Sequence, residues 1–169
     1  MKDEIINRVA NSKLVTIDLE DYYPQGQRIL FDIKDWLDEG LVLREKEFRK
    51  QAKEHDWSQY KDTFVALYCS TDAIVPAWAF MLLSVYLEPY SKKIVIGNLN
   101  ALETAIYQNI INGLDITPFH DKPIIVKGCS NKPVPDNAYI MLIAKLKPVA
   151  KSIMYGEACS SVPLFKKPK

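Results

Sequence analysis

The sequence is poor in the residues that most often announce a function. It holds only three cysteines, two histidines and six glycines in 169 residues. An odd count of cysteines is not a disulfide framework and suits a reducing compartment. No GxGxxG or Walker-type glycine run follows a strand, and GNLN and GEAC are too short to serve as phosphate loops. An excess of charge of one sign is also missing: 22 Lys and Arg against 21 Asp and Glu leave a net charge of +1. That balance argues against nucleic acid or an anionic membrane as the main partner. No apolar run has the length of a membrane span, and the longest, AWAFMLLSVYL, fits a buried helix. The N-terminus, MKDEIINRVANSK, has acidic residues and no continuous apolar region, so it does not read as a signal peptide. A cytoplasmic address follows by default.

What is present is the composition of a soluble globular protein, 48% hydrophobic and 25% charged, long enough for one well-packed core. In the first sixty residues, Ile5, Ile6 and Val9 fit one face of a short helix. Leu14–Leu19 and Arg28–Ile33 read as strands around a turn at DYYPQGQ. Residues 44–55, with Phe48 and Ala52 on one side, read as a helix whose charges form a solvated face and leave His55 at the surface. From Thr63 the rhythm sharpens. FVALY is a continuous apolar run, as in a strand buried on both faces. A helix over Ala77–Leu87, a strand at IVIG and a helix over Leu99–Asn112 follow, the last closed by Gly113. Then come a strand at PIIVK, a helix over Ala138–Leu146 and a strand at SIMY. The closing LFKKPK reads as a solvated basic tail. Alternation at this spacing predicts parallel strands with helical crossovers.

Part of this pattern occurs twice. Val75–Gly97 lies over Val134–Gly156 without a gap, with identities at Ala79/Ala138, Leu83/Leu142, Leu87/Leu146, Pro89/Pro148, Lys92/Lys151, Ile94/Ile153 and Gly97/Gly156. Convergence of two βαβ units explains shared apolar periodicity but not paired prolines, glycines and Cys-Ser dipeptides. The expectation is a single α/β domain with a doubly wound, mostly parallel sheet. An N-terminal α+β extension covers residues 1–62, the first βαβ unit 63–100, a connecting helix 101–122, and the second unit with its tail 123–169. Right-handed crossovers then make the strands ending at Cys69 and Cys129 central neighbours, at a topological switch point.

The cysteines carry the functional reading. Each is followed by serine, and each reaches a Val-Pro within a few residues: CSTDAIVP, CSNKPVP and CSSVP. Thiolates are ligands for zinc and iron, and they are nucleophiles. Pro76 and Pro135 suit the first turn of a helix, so two of the loops lead into helices whose positive ends face the site. Cys69, Cys129 and Cys159 are therefore candidate ligands of an iron–sulfur cluster or zinc. Asp72 and Glu157 are candidate oxygen ligands, although Asp72 also suits a helix cap. Ser70, Ser130 and Ser160 are candidate contacts to the cofactor. His120 falls just before a strand, at the opposite edge. Two other readings stay open. One is thiol or persulfide sulfur transfer, or a small-molecule enzyme in the same crevice, although a Cys-His pair lacks its base there. The other is a structural or interaction protein whose cysteines are buried and inert.

The blocks DWSQY, CSTDAIVPAWAFMLL, IIVKGCS and SIMYGEACSSVPLFKK together resemble domain-of-unknown-function family 2480 of the Bacteroidetes. The resemblance covers most of the chain and implies no established activity. It implies Cys69, Ser70, Asp72, Cys129 and Cys159 as motif positions, and an association with iron–sulfur assembly proteins of the sulfur-mobilisation type as partners.

Overall fold

The computed structural model describes residues 14–128, 131–157 and 160–168; the expected helix at Ile5, Ile6 and Val9 lies outside them. The strands are β1 (Val15–Ile17), β2 (Arg28–Asp32), β3 (Phe64–Tyr68), β4 (Lys93–Ile96), β5 (Pro123–Val126), β6 (Ser152–Glu157) and β7 (Ser160–Lys166). The helices are α1 (Glu45–Glu54), α2 (Ala77–Leu87), α3 (Leu99–Gly113) and α4 (Asp136–Leu146). Mixed α/β structure with mostly parallel strands is as expected. The single sheet is not. The strands form two sheets, ordered β2-β3-β4 and β1-β5-β6-β7. The physical reason lies in β1 and β2, which pair inside the sheets. β1 pairs with β5 and β2 with β3, both in parallel. Each takes the sheet edge through which β3 and β5 would have become neighbours.

The chain divides into two compact units. One is continuous, Pro24–Ile106; the other is split, Met1–Tyr23 with Tyr107–Lys169. In the continuous unit, Val65 and Leu67 of β3 share a buried cluster with Phe48 and Ala52 of α1 and with Ala79, Leu83 and Leu87 of α2. Both helices therefore lie on one face of the three-stranded sheet. On the strand's alternate positions, Phe64 and Ala66 are also buried. The Arg28 guanidinium lies 4.7 Å from the Phe64 ring centroid and makes a bidentate pair with the buried Glu103 of α3, its shorter arm 2.7 Å. The same guanidinium also donates to the Pro24 and Gly26 carbonyls and so fixes the turn into β2.

The split unit repeats this plan. Ile124 and Val126 of β5 pack with Tyr107 and Ile111 of α3 and with Ala138, Leu142 and Leu146 of α4. The repetition reaches hydrogen bonds upstream of the segment that sequence alone aligns. Asp56 and Asp115 each open a 3-10 turn by accepting from the N–H two residues on, Ser58 and Thr117. Asp62 and Asp121 both take positive φ, 59° and 52°. Their N–H groups donate to the Tyr90 and Val149 carbonyls at 2.9 and 2.8 Å. Phe64 stands opposite Lys93 as Pro123 stands opposite Ser152. The units part company at the last strand. LFKKPK is not a free tail: Leu164–Lys166 belong to β7, which pairs antiparallel with β6. Pro163 sits in that edge strand beside the register shift at Ile153/Met154, the position at which a strand tolerates a missing N–H.

Candidate functional site

The carboxyl ends of the parallel strands carry the polar side chains in both units. In the continuous unit, β2 ends at Asp32 and β3 at Tyr68. The Asp32 carboxylate accepts from the Lys34 N–H at 3.0 Å and from the Ser70 N–H at 3.1 Å. Burial works to raise its pKa; hydrogen bonds from the Ser70 side chain, the Lys34 and Ser70 N–H groups and the Tyr68 side chain together outweigh it and hold the carboxyl below its ordinary range. Burial, and then the Asp32 charge, push the Tyr68 phenol up. The loop that holds Cys69 is thus tied down by a carboxylate one strand away. Cys69 itself is half-buried and packs against the unit's core. Its Sγ lies 3.3 Å from the Thr71 hydroxyl, which donates to the Gly40 carbonyl at 2.6 Å. Ser70 and Asp72 are exposed.

The split unit has the same arrangement with different charges. Asp18 follows β1, accepts from the Glu20 N–H at 3.0 Å and pairs with the Lys127 ammonium at 3.1 Å. The hydrogen bond from Lys127 to Asp18, with the charges of Asp18 and then Glu157, raises the Lys127 pKa. Glu20 accepts from the N–H groups of Asn131 and Lys132, as Asp32 does from Ser70. Tyr155 of β6 meets Tyr139 of α4 edge to face at 5.8 Å and donates to the Gly128 carbonyl at 3.2 Å. A Cβ on Gly128 would stand 2.6 Å from the Tyr155 ring, so a side chain there has to displace that ring. Burial first, then the neighbouring Tyr155, Asp18, Glu20 and Asp136, push the Tyr139 phenol up.

Cys129, Ser130 and Cys159 lie outside the described residues. Their neighbours are described. Gly128 and Asn131 bracket the first cysteine, and Glu157 and Ser160, which pair across β6 and β7, bracket the second. β5 and β6 are adjacent, with Val126 opposite Tyr155, so both brackets stand at the carboxyl edge of one sheet. Cys69 belongs to the other unit. Among the described residues, no group of three His, Cys, Asp or Glu side chains is arranged to hold a metal ion.

The family model described as protein of unknown function (DUF2480) matches residues 3–167. The chain belongs to the DUF2480 family. Neither the curated proteins nor the solved structures give a match to this DUF2480 chain. The histidines offer little to either edge. His120 precedes β5, exposed, with Nδ1 3.3 Å from Asp121. His55, expected at the surface, is half-buried among Phe31, Trp36, Trp57 and Tyr60, with Nε2 2.9 Å from the Tyr60 hydroxyl. It ends α1 on the apolar side, which a reading of the helix as charged conceals. Reading from cysteines alone also passes over Asp18, Glu20, Asp32 and Lys127. The signal was there: Ile-Asp-Leu-Glu-Asp at residues 17–21 and Phe-Asp-Ile-Lys-Asp at residues 31–35 share an Asp placed just where a strand ends. No helix among the described residues is long and apolar enough to cross a membrane.

Proposed function

We propose that this is a thiolate protein of cytoplasmic iron–sulfur metabolism that binds an iron–sulfur cluster or zinc, with Cys129, Cys159 and Glu157 as its central ligands. The observation that carries the reading is the placement of Gly128, Asn131, Glu157 and Ser160, the neighbours of both cysteines, at one edge of one sheet. The chemistry nearby suits it. Lys127, two residues before Cys129, is paired with Asp18 and feels the charge of Glu157. Soft sulfur donors with one carboxylate oxygen match zinc or an iron–sulfur cluster with an open iron. Such a group would supply Lewis acidity, electron transfer or a cluster for delivery. Ser130 and Ser160 are the proposed contacts to it, and iron–sulfur assembly proteins the proposed partners. Cys69, with Ser70 and Asp72, joins this proposal as the counterpart loop of a duplicated unit. The recurrence of caps, positive-φ residues and ladder register supports descent of both units from one strand–helix–strand ancestor.

A second reading is favoured by Cys69 alone. Its packing against the core and its contact with Thr71 are those of a structural thiol, which behaves as a small hydrophobe. The test is metal analysis with an absorption spectrum on anaerobically purified protein and its three single Cys→Ala variants. A brown protein bleached by Cys129→Ala and by Cys159→Ala supports a cluster, and stoichiometric zinc lost in the same variants supports the zinc form. Cys69→Ala that keeps full metal assigns Cys69 to packing. Metal-free wild type that traps persulfide moves the function to sulfur transfer, and metal-free protein without persulfide sinks the proposal.

A further inference from the structure

The two units differ at one edge. In the split unit, β6 is lined by β7, which runs antiparallel to it with Phe165 opposite Ile153 and Val162 opposite Tyr155. Phe165 packs on the unit's core cluster, and the Lys147 ammonium lies 5.9 Å from its ring centroid. In the continuous unit the equivalent strand is β4, and among the described residues nothing pairs with its outer edge. Gly97 donates to the Leu67 carbonyl at 2.9 Å. In a parallel ladder that turns the N–H and C=O of Ile96 away from β3, toward the open side. Beside this edge runs an apolar groove of about 150 Å³, lined by Phe80, Met81 and Ser84 of α2 and by Ile94 and Ile96 of β4. Two of its lining side chains are exposed, Ile96 at 60% and Met81 at 64%, and Val85, four residues on from Met81 in α2, is exposed as well. A helix apolar all round, as AWAFMLLSVYL is, belongs to a buried position. A bare edge strand beside it is a template for another strand.

We infer that β4 and the adjoining face of α2 are the surface through which a second copy of this chain docks, β4 pairing antiparallel with β4 across a two-fold axis. The chain itself demonstrates the mode of occupation, since β7 covers the equivalent edge in antiparallel sense. Antiparallel pairing of a strand with itself is what a two-fold axis produces, and it closes the assembly at a dimer. Centred on Val95, the pairing sets Ile94 of one copy opposite Ile96 of the other, an apolar cross-strand pair on the groove side. It sets Lys93 opposite Gly97, so no lysines face each other. The net charge of +1 adds no self-repulsion.

Sedimentation of the full chain in reducing buffer, from low micromolar to hundred-micromolar concentration, tests this. The wild type is expected at twice the chain mass. Ile96→Lys and Met81→Glu, both at exposed positions that line the groove, are expected to halve that mass while the far-UV circular dichroism stays unchanged. Leu41→Lys, exposed but outside the groove, is expected to leave the dimer intact. A wild type that stays monomeric throughout overturns the inference, and so does a dimer untouched by both groove variants. A monomer that binds a synthetic SSVPLFK peptide, and loses it on Ile96→Lys, also overturns the second copy and gives the edge to an extended strand of another protein.

Discussion

Phe48 and Tyr107 occupy the same place in the two units, each fully buried against the core, and differ by one hydroxyl. The Tyr107 hydroxyl donates to the Leu19 carbonyl at 2.9 Å. Removing it leaves a buried acceptor unsatisfied, so Tyr107→Phe is expected to cost about 1–3 kcal/mol by denaturant titration. A loss well under 1 kcal/mol would mean that water or another donor reaches Leu19. His55 makes a residue-scale prediction in pH. Burial pushes its imidazole below the ordinary 6.5, against a smaller opposing pull from the Asp56 charge. The folded state therefore holds the ring neutral at pH values where the unfolded chain takes up a proton. The stability tied to this is fully present above pH 6.5 and is lost as pH falls through that value toward the folded pKa. Between pH 7 and 5.5 the melting temperature of the wild type should fall more steeply than that of His55→Gln. Equal slopes would exclude His55 as the titrating group.

At the scale of elements, Gly97 and Gly156 offer a comparison within one molecule. Gly97 follows the last residue of β4 and Gly156 is the penultimate residue of β6; both take positive φ, 137° and 122°, where a side chain is strained. The space differs. A Cβ on Gly97 would meet the Ala101 methyl at 3.0 Å, whereas on Gly156 it would meet the Ser160 carbonyl oxygen at 2.6 Å. A methyl group can yield more readily than a paired backbone, so Gly156→Ala is expected to cost more than Gly97→Ala. Strain alone accounts for about 1–3 kcal/mol in each. Thermal melts of both variants check the order, and a larger loss at Gly97 would reverse it. Sequence made such elements legible because their rules are local. Pro76 and Pro135 ahead of α2 and α4, the apolar FVALY run and the paired glycines all state their conformation within a few residues. Pairing was not legible. β1 is three residues long, and its partner β5 is chosen by a contact that spans most of the chain, which no local pattern encodes. The carboxyl edges of the strands were legible in part, as the positions where apolar runs such as FVALY end. Which sheet each strand joins depended on that same unread pairing.

The whole molecule raises a question of order in folding. The core of the continuous unit is built entirely within residues 24–106, while the split unit must bring Val15 to Ile124 across all of them. Closing a long loop costs entropy before its contacts repay it, and a loop already shortened by a compact unit costs less. The continuous unit is therefore expected to fold first. The sequence supplies a probe, since its three tryptophans, Trp36, Trp57 and Trp78, all belong to that unit. Leu83 and Leu142 are equivalent and fully buried, and truncating either to alanine is expected to cost about 2–5 kcal/mol. Their kinetic effects should differ. In stopped-flow refolding, Leu83→Ala should slow the tryptophan signal and every later change in far-UV circular dichroism. Leu142→Ala should leave the tryptophan phase at its wild-type rate and slow only the later circular dichroism phase. Tryptophan and circular dichroism phases that coincide in the wild type and in both variants would show instead that the two units fold in a single cooperative step, with β1–β5 pairing already made when the tryptophans are buried.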